Sequence, residues 1–141
     1  MIVYGGSMKD KPQILFVCVH NAGRSQMAAG FMENISQGRV KVISAGSTPK
    51  DLINPLAVQV MAEVGIDIAN NQPKILTNKA VQESDVVITM GCGDSCPFYP
   101  GKRYEDWELE DPAGQSIEKV REIRDQIKIK VEELLSSLTS I

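Results

Sequence analysis

A cysteine separated by five residues from an arginine-serine pair is the arrangement in this sequence that most clearly predicts chemistry. Cys18 and the pair Arg24-Ser25 enclose the segment Val-His-Asn-Ala-Gly. If this segment is a loop that leads into a helix, its N–H groups and the positive end of the helix dipole form a cradle for a tetrahedral oxyanion. The planar guanidinium of Arg24 can grip two oxygens of that anion at once. The same positive field favours the thiolate of Cys18, which predicts a cysteine nucleophile.

The residues of this loop have distinct predicted roles. The predicted oxyanion-binding residues are Val19, His20, Asn21, Ala22, Gly23, Arg24 and Ser25. The Ser25 hydroxyl can donate a hydrogen bond to the thiolate, and Asn21 tolerates the left-handed backbone that a tight loop demands. The alternative is that Cys18 is a small buried apolar residue and Arg24 a solvated helix residue. For His20, a solvated or hydrogen-bonded side chain is favoured over a role in the site.

Asp111-Pro112 follows the last predicted strand and precedes the last predicted helix. A leaving oxygen needs a proton, and Asp111 is the candidate general acid for that step. Asp-Pro is also a common turn, which is the alternative interpretation of this pair.

Cys92 and Cys96 lie in a glycine-containing loop, and with Cys18 they make an odd set of three cysteines. Two thiols four positions apart can form a disulfide if the backbone rearranges, which the neighbouring glycines allow. The alternative is two unrelated loop thiols. A zinc site would need four ligands, and the single histidine, His20, fits no common spacing with the cysteines, so we predict no metal site.

The hydrophobic pattern predicts alternating strands and helices. The predicted strands cover residues 14–19, 40–44, 85–90 and 104–109, and the predicted helices cover residues 24–34, 54–64, 77–81 and 116–138. This order predicts an α/β fold of three layers, a four-stranded parallel sheet with helices on both faces. Ligands of such sheets bind beyond the carboxyl ends of the strands, where Cys18, Ser44 and the 91–97 loop fall. Trp107 is predicted to lie in the core.

The composition sets limits on function. With 141 residues the chain is predicted to form a single domain over 13–141, preceded by a flexible extension over 1–12. A formal charge of −3 without a basic run argues against nucleic-acid binding. The longest apolar runs are far shorter than the roughly 20 residues of a membrane span, so no membrane association is expected. No signal peptide is evident, which predicts a cytoplasmic protein.

Several motifs together resemble those of the arsenate reductases built on the low-molecular-weight tyrosine phosphatase fold. The motifs are Cys18-x5-Arg24-Ser25-Gln26-Met27-Ala28, Ser44-Ala45-Gly46, Cys92, Cys96 and Asp111-Pro112-Ala113-Gly114. The resemblance covers roughly residues 13–139. It implies a four-stranded parallel sheet flanked by helices and the reduction of arsenate to arsenite at the expense of a thioredoxin-type dithiol.

The resemblance also implies a role for each thiol. Cys18 attacks arsenate held by Arg24 and the loop amides, and Asp111 protonates the departing oxygen. Cys92 then attacks the Cys18 sulfur and arsenite leaves, after which Cys96 carries the disulfide to the loop. No tightly bound cofactor is implied, and the external reductant is thioredoxin or, as in some relatives, a low-molecular-weight thiol such as mycothiol. The spacing of Cys92 and Cys96 is narrower than in the best-known thioredoxin-coupled members.

Two other functions are alternatives to arsenate reduction. Low-molecular-weight phosphotyrosine phosphatases share the loop, but they follow Asp-Pro with an aromatic residue, where this chain has Ala113, and place a second cysteine at the position of Gly23. A regulator that binds an oxyanion or arsenite would carry a DNA-reading helix, and no sufficiently basic segment is present.

Members of the resembled group that bind potassium carry a glutamate in the first helix. This chain has Ala29 there, although Asn21, Ser44 and Asp67 match the other positions. We therefore do not expect a potassium site.

Overall fold

The structure is a computed structural model, and it describes residues 11–91 and 98–139. Most of the predicted N-terminal extension, residues 1–10, lies outside the described residues, as do Cys92 and Cys96.

Strands and helices alternate along most of the chain. The strands are β1 (Gln13–Cys18), β2 (Lys41–Gly46), β3 (Val86–Met90) and β4 (Arg103–Asp106), and the helices are α1 (Arg24–Ser36), α2 (Pro55–Glu63), α3 (Asn78–Glu83) and α4 (Ile117–Thr139). The four strands form one parallel sheet in the order β2-β1-β3-β4. The predicted fold class is confirmed.

The central strand β1 sends alternate side chains to two different hydrophobic clusters. Ile14 and Phe16 pack with apolar residues of α1, α2 and α4 in the larger cluster. Leu15 and Val17 point to the opposite face and pack with Val81 of α3 in the smaller one. Because both faces are covered, every residue of β1 is buried, which explains its continuous apolar sequence.

The carboxyl ends of β1 and β2 meet at one edge of the sheet. Cys18 lies beside Gly46 in the parallel register, so the cysteine loop leaves the sheet next to the end of β2. A β-carbon on Gly46 would lie 2.7 Å from the carbonyl oxygen of Val19 and 2.9 Å from the backbone nitrogen of Asn21. Glycine at this position therefore allows the cysteine loop to lie directly against β2.

The helix starts differ in how their free N–H groups are satisfied. The Asn54 side chain accepts a hydrogen bond from Leu56 N at the start of α2, and Thr77 accepts one from Ala80 N at the start of α3. Within the described part of the chain, no side chain caps α1, which begins after Gly23. The first N–H groups of α1 are therefore left for another partner.

The fourth strand is shorter than predicted. It was expected over 104–109, whereas β4 ends at Asp106, the partner of Thr89 in β3. Trp107 N donates the last hydrogen bond of this pairing to Thr89 O at 2.8 Å. Beyond this point β3 ends and Gly91 adopts a left-handed φ of 89°, so among the described residues the chain after Trp107 has no neighbouring strand. Trp107 is 5% exposed and packs against Phe16, which confirms its predicted place in the core.

No helix in residues 11–91 and 98–139 is both long enough and apolar enough to cross a membrane.

Candidate active site

Cys18 is the last residue of β1, and its side chain lies at the base of a cavity while remaining only 2% exposed. Two hydrogen-bonding groups approach its sulfur. The Ser25 hydroxyl oxygen is 2.9 Å from Cys18 Sγ, and Asn21 N donates to the same atom at 3.2 Å. Both groups can donate to the sulfur, and hydrogen bonds of this kind stabilise negative charge that develops on it.

Asn21 adopts the left-handed backbone that the sequence predicted, with φ of 50°. Its side chain is fully buried and contacts the residues behind the loop rather than the cavity. Asn21 Nδ2 donates to Ser25 Oγ at 2.7 Å, and Asn21 Oδ1 accepts from Lys74 N at 2.8 Å. The loop is therefore tied both to α1 and to the segment that precedes α3.

The predicted oxyanion cradle lies where the uncapped start of α1 meets the end of β1. The N–H groups of the first turn lack carbonyl partners within the helix, and the helix dipole adds a partial positive charge at this end. Among the described residues, the first turn of α1 contains no acidic side chain that would neutralise it. An anion held here gains several N–H donors without any rearrangement of the backbone.

Arg24 is buried although it is charged, with 7% of the residue exposed. Its Nη1 donates to the carbonyl oxygen of Leu109 at 3.2 Å, and its Nη2 lies 3.8 Å from Asp111 Oδ2. These contacts place the guanidinium between the cysteine loop and the loop that follows β4. One face of the cavity thus carries a fixed positive charge.

Asp111 lies across the cavity from the cysteine loop, and its side chain is 48% exposed. Its Oδ1 accepts a hydrogen bond from Ala113 N at 3.0 Å, which is the local turn that the Asp-Pro alternative described. Both the turn and the approach to Arg24 are therefore present. A carboxyl group at this position can deliver a proton to an oxygen that leaves from an anion bound to the loop.

Pro112 packs directly on the cysteine loop. A β-carbon on Gly23 would lie 2.7 Å from Pro112 Cγ. Any side chain at this position would therefore collide with the proline unless one of the two segments moved. The absence of a side chain at Gly23 lets Pro112 lie directly against the cysteine loop.

The cavity between these segments has a volume of about 460 Å³. Of the predicted site residues, those that line it are Cys18, His20, Ala22, Gly23, Arg24 and Asp111. Val19 lies at the edge of the loop and is half-buried, while Asn21 and Ser25 are fully buried and reach Cys18 from behind. Lys50 and the strongly exposed Leu52 form the opposite rim of the cavity.

Sequence reasoning missed the residues that support the cysteine loop from behind. Gln26 and Lys74 both contact Asn21, and neither received a predicted role. Gln26 follows Ser25 in the sequence motif, which was the available signal. Lys74 is 53 residues from Asn21 and contacts it through a backbone N–H group, so no side-chain pattern could have indicated the contact.

A potassium ion does not fit the residues around Ser44. Lys74 Nζ lies 3.5 Å from Ser44 Oγ, so an ammonium already places a positive charge there. Desolvation lowers the pKa of Lys74 below its ordinary value of 10.5, against the opposing attraction of Glu33. Asp67 is exposed and accepts from Ala69 N within its own turn.

Within residues 11–91 and 98–139, no three His, Cys, Asp or Glu side chains come together as a metal site. His20 is half-buried at the cavity. The predicted relay thiols, Cys92 and Cys96, lie outside the described residues, and their distance from Cys18 stays untested.

The sequence of this chain is similar to those of a known family and of several named proteins. The family described as low molecular weight phosphotyrosine protein phosphatase matches residues 13–140. The glutaredoxin arsenate reductase of Synechocystis sp. is 39% identical over 130 residues, which cover 90% of this chain and 98% of that protein.

Solved structures of arsenate reductases are also similar to this chain. The thioredoxin-dependent arsenate reductase of Corynebacterium glutamicum aligns with a TM-score of 0.83 at 46% identity, over 94% of this chain and 64% of that one. This chain therefore spans just under two thirds of the length of that protein. An arsenate reductase in the phosphate-binding state aligns with a TM-score of 0.81 at 38% identity, over 91% of this chain and 99% of that one.

Proposed function

This chain belongs to the low molecular weight phosphotyrosine protein phosphatase family, and on that premise we propose that it reduces arsenate to arsenite. The observation that carries the proposal is the arrangement around Cys18. A sulfur with two donors lies at the base of a cavity that also contains a buried arginine and a carboxyl group. Such a site binds a tetrahedral oxyanion and presents a nucleophile to its centre.

The walls of the cavity favour a small inorganic substrate. Ala113 and Gly114 line it after the Asp-Pro pair and offer no aromatic surface for a phenyl ring. The names of the similar proteins also favour arsenate as the substrate, since both the Synechocystis and the Corynebacterium relatives are arsenate reductases.

In the first step, the Cys18 thiolate attacks the arsenic atom of a bound arsenate. Arg24 and the N–H groups of the loop hold the oxygens that carry the negative charge. The As–O bond opposite the new As–S bond breaks, and Asp111 donates a proton so that this oxygen leaves as water. The product is a covalent thiol-arsenate adduct in which arsenic is still pentavalent.

In the second step, two electrons pass to arsenic. The Cys92 thiolate attacks the sulfur of Cys18, the S–As bond breaks, and its electron pair leaves with arsenic as arsenite. A disulfide between Cys18 and Cys92 remains. Cys96 then attacks Cys92, which frees Cys18 and moves the disulfide to the Cys92–Cys96 pair.

An external dithiol of the thioredoxin type completes the proposed cycle by reducing the Cys92–Cys96 disulfide. The thioredoxin dependence of the Corynebacterium relative supports this reductant. A low-molecular-weight thiol such as mycothiol or glutathione is the other candidate. No tightly bound cofactor takes part, and we expect the protein to act in the cytoplasm without binding nucleic acid.

Phosphomonoester hydrolysis is a second candidate function. Phosphate is isosteric with arsenate, and a phosphorylated Cys18 would be hydrolysed by water rather than reduced. The solved relative in the phosphate-binding state supports binding of phosphate in a cradle of this kind. We expect weak hydrolysis of aryl phosphates as a side reaction of the same site.

The test is the formation of arsenite from arsenate by the purified full-length chain. Consumption of NADPH is followed with thioredoxin and thioredoxin reductase, and in parallel with a mycothiol or glutathione system. We expect turnover with thioredoxin. Absence of arsenite with every reductant, combined with rapid aryl phosphate hydrolysis, would establish the phosphatase function instead.

Replacement of the relay thiols provides the matched control. We expect Cys92→Ser and Cys96→Ser to lose sustained arsenate reduction while they keep aryl phosphate hydrolysis, because hydrolysis needs only Cys18. Arsenate reduction by Cys92→Ser at the rate of the unsubstituted protein would refute the relay.

A further inference from the structure

Gln26 is a buried amide directly behind the cysteine loop, and the steps described above do not use it. It is 1% exposed and lies in the first turn of α1. Its Nε2 is 3.2 Å from Asn21 O, 3.1 Å from Asn21 Oδ1 and 3.4 Å from Gln72 O. Its Oε1 accepts from Asn71 Nδ2 at 3.2 Å. The Gln26 amide therefore joins the loop to the segment before α3.

The contacts of Asn21 fix which way its own amide points. The backbone N–H of Lys74 can only donate, so the atom 2.8 Å from it must be the oxygen, Oδ1. Gln26 Nε2 gives the same oxygen a second donor. Asn21 Nδ2 is thereby turned toward Ser25 Oγ, at 2.7 Å.

This orientation determines the direction of the hydrogen bond to Cys18. Because Asn21 Nδ2 can only donate, Ser25 Oγ accepts from it, and the Ser25 proton is left for Cys18 Sγ at 2.9 Å. In the opposite amide orientation, Ser25 would donate to Asn21 Oδ1, and the thiolate would lose this donor. The direction of one amide thus decides how well the nucleophile is stabilised.

We propose that Gln26 is a positioning residue that holds the Asn21 amide in this orientation and so keeps the Ser25 hydroxyl donating to Cys18. The proposal rests on the proposed role of Cys18 as the nucleophile. It does not depend on whether the substrate is arsenate or a phosphomonoester.

The test measures the Cys18 thiolate directly. Gln26→Met keeps the length of the side chain and removes its donor. The rate of Cys18 alkylation by iodoacetamide is followed over a range of pH by mass spectrometry of the Cys18 peptide. We expect this rate to fall roughly fivefold to tenfold on the acidic limb of the pH profile, where only a fraction of Cys18 is thiolate, the effect of weakening one hydrogen bond to a charged group. The ionisable residues that line the cavity around Cys18 are unchanged in this variant: His20, Arg24, Lys50, Asp51 and Asp111.

The same substitution in a Ser25→Ala background shows whether Gln26 acts through the Ser25 hydroxyl. If it does, Gln26→Met slows alkylation when Ser25 is present and has no further effect when Ser25 is absent, because the two residues belong to one chain of hydrogen bonds. An equal fall in both backgrounds would overturn the proposal, as would an unchanged rate in the single variant.

Gln13→Met is the matched control for loss of a buried amide. Gln13 is 7% exposed and its Nε2 donates to Ser84 Oγ at 3.0 Å. It lies at the opposite end of β1 from Cys18. We expect this variant to lose thermal stability without a change in Cys18 alkylation. A similar slowing in Gln13→Met would mean that general loosening of the fold explains the Gln26 result.

Gln26→Glu keeps the proposal testable if Gln26→Met does not fold. It preserves shape and places a carboxylate oxygen against Asn21 Oδ1, which favours the opposite orientation of the Asn21 amide. We expect slower alkylation than in Gln26→Met, and a rate equal to that of the unsubstituted protein would contradict the proposal. Arsenate turnover is assayed separately, so the alkylation rates can still be interpreted if the protein does not reduce arsenate.

Discussion

The two sides of the cavity are built in different ways. On the cysteine side, Asn21, Ser25 and Cys18 are buried and joined by hydrogen bonds to one another. On the opposite side, the Asp111 side chain is about half exposed and is held by its own turn and by an ion-pair contact of 3.8 Å to Arg24. One side is held by buried contacts, and the functional carboxyl group of the other is held by contacts that solvent can reach.

This difference matches what each side must do. In the proposed reaction, the cysteine side stabilises negative charge, and it does so best when its donors are already in place. A proton donor must meet a leaving oxygen and then let the product depart, which requires solvent access and room to move. Substitutions on the cysteine side should therefore weaken anion binding or remove the nucleophile. Substitutions on the Asp111 side should slow the chemical step.

The largest effect is expected at the nucleophile itself. Cys18→Ser replaces the thiolate by a hydroxyl that is not ionised at neutral pH, so we expect both arsenate reduction and aryl phosphate hydrolysis to fall by at least about ten-thousandfold. The measurement is the initial rate of each reaction. Residual turnover of either substrate above a hundredth of the original rate would show that another group supplies the nucleophile.

A smaller effect is expected on the opposite side. Asp111→Asn removes the proton donor and keeps the shape, so we expect kcat to fall by roughly a hundredfold or more while the affinity for inorganic phosphate changes little. Steady-state kinetics and phosphate binding by calorimetry separate the two. Glu110→Gln is the control, because this neighbouring carboxylate pairs with Lys119 on the surface at 3.0 Å. If the two variants behaved alike, Asp111 would have no special role.

Arg24→Lys should act mainly on binding. Lysine keeps the charge but cannot bind two oxygens in one plane, so we expect phosphate affinity to fall about tenfold to a hundredfold. The exposed Arg39, which donates to the carbonyl oxygen of Ser36 at 2.9 Å, provides a conservative control in Arg39→Lys. Near-normal phosphate affinity in Arg24→Lys would exclude a two-point contact with the anion.

The smallest effect is expected away from both sides, at the ion pairs between α2 and α4. Hydrogen bonding from Arg121, followed by that from Arg124, lowers the pKa of Glu63 below its ordinary value of 4.5. A carboxyl with a lowered pKa stabilises the fold above its unfolded pKa, and this contribution is lost as the pH falls through the lowered folded value. Glu63→Gln should therefore lower the thermal midpoint slightly at neutral pH.

The pH dependence checks the cause of that effect. The difference between Glu63→Gln and the unsubstituted protein should shrink as the pH is lowered below 4.5, the ordinary glutamate value. Thermal melts by circular dichroism at neutral and acidic pH measure it. A difference that stays constant with pH would point to packing rather than charge.

Much of the cysteine side could be predicted from the sequence because its information is local. The loop from Cys18 to Ser25 is one continuous stretch, and the left-handed conformation of Asn21 follows from its residue type and place in a tight loop. The order of strands and helices followed from hydrophobic periodicity in the same way. The end of β4 at Asp106 depends on where the neighbouring strand β3 ends. The local hydrophobic pattern does not contain this information and predicted an end at residue 109, which was wrong.

The sequence by itself determined the element order and predicted the nucleophile, the cradle and the candidate acid, because each is encoded by residue types in a short segment. Only the tertiary structure decided how they fit together. Lys74 meets Asn21, Asn71 meets Gln26, and Pro112 fills the space beside Gly23, across large separations in sequence. Such contacts depend on which strands are neighbours and how closely loops pack, and these distances are set by the whole fold rather than by any one segment.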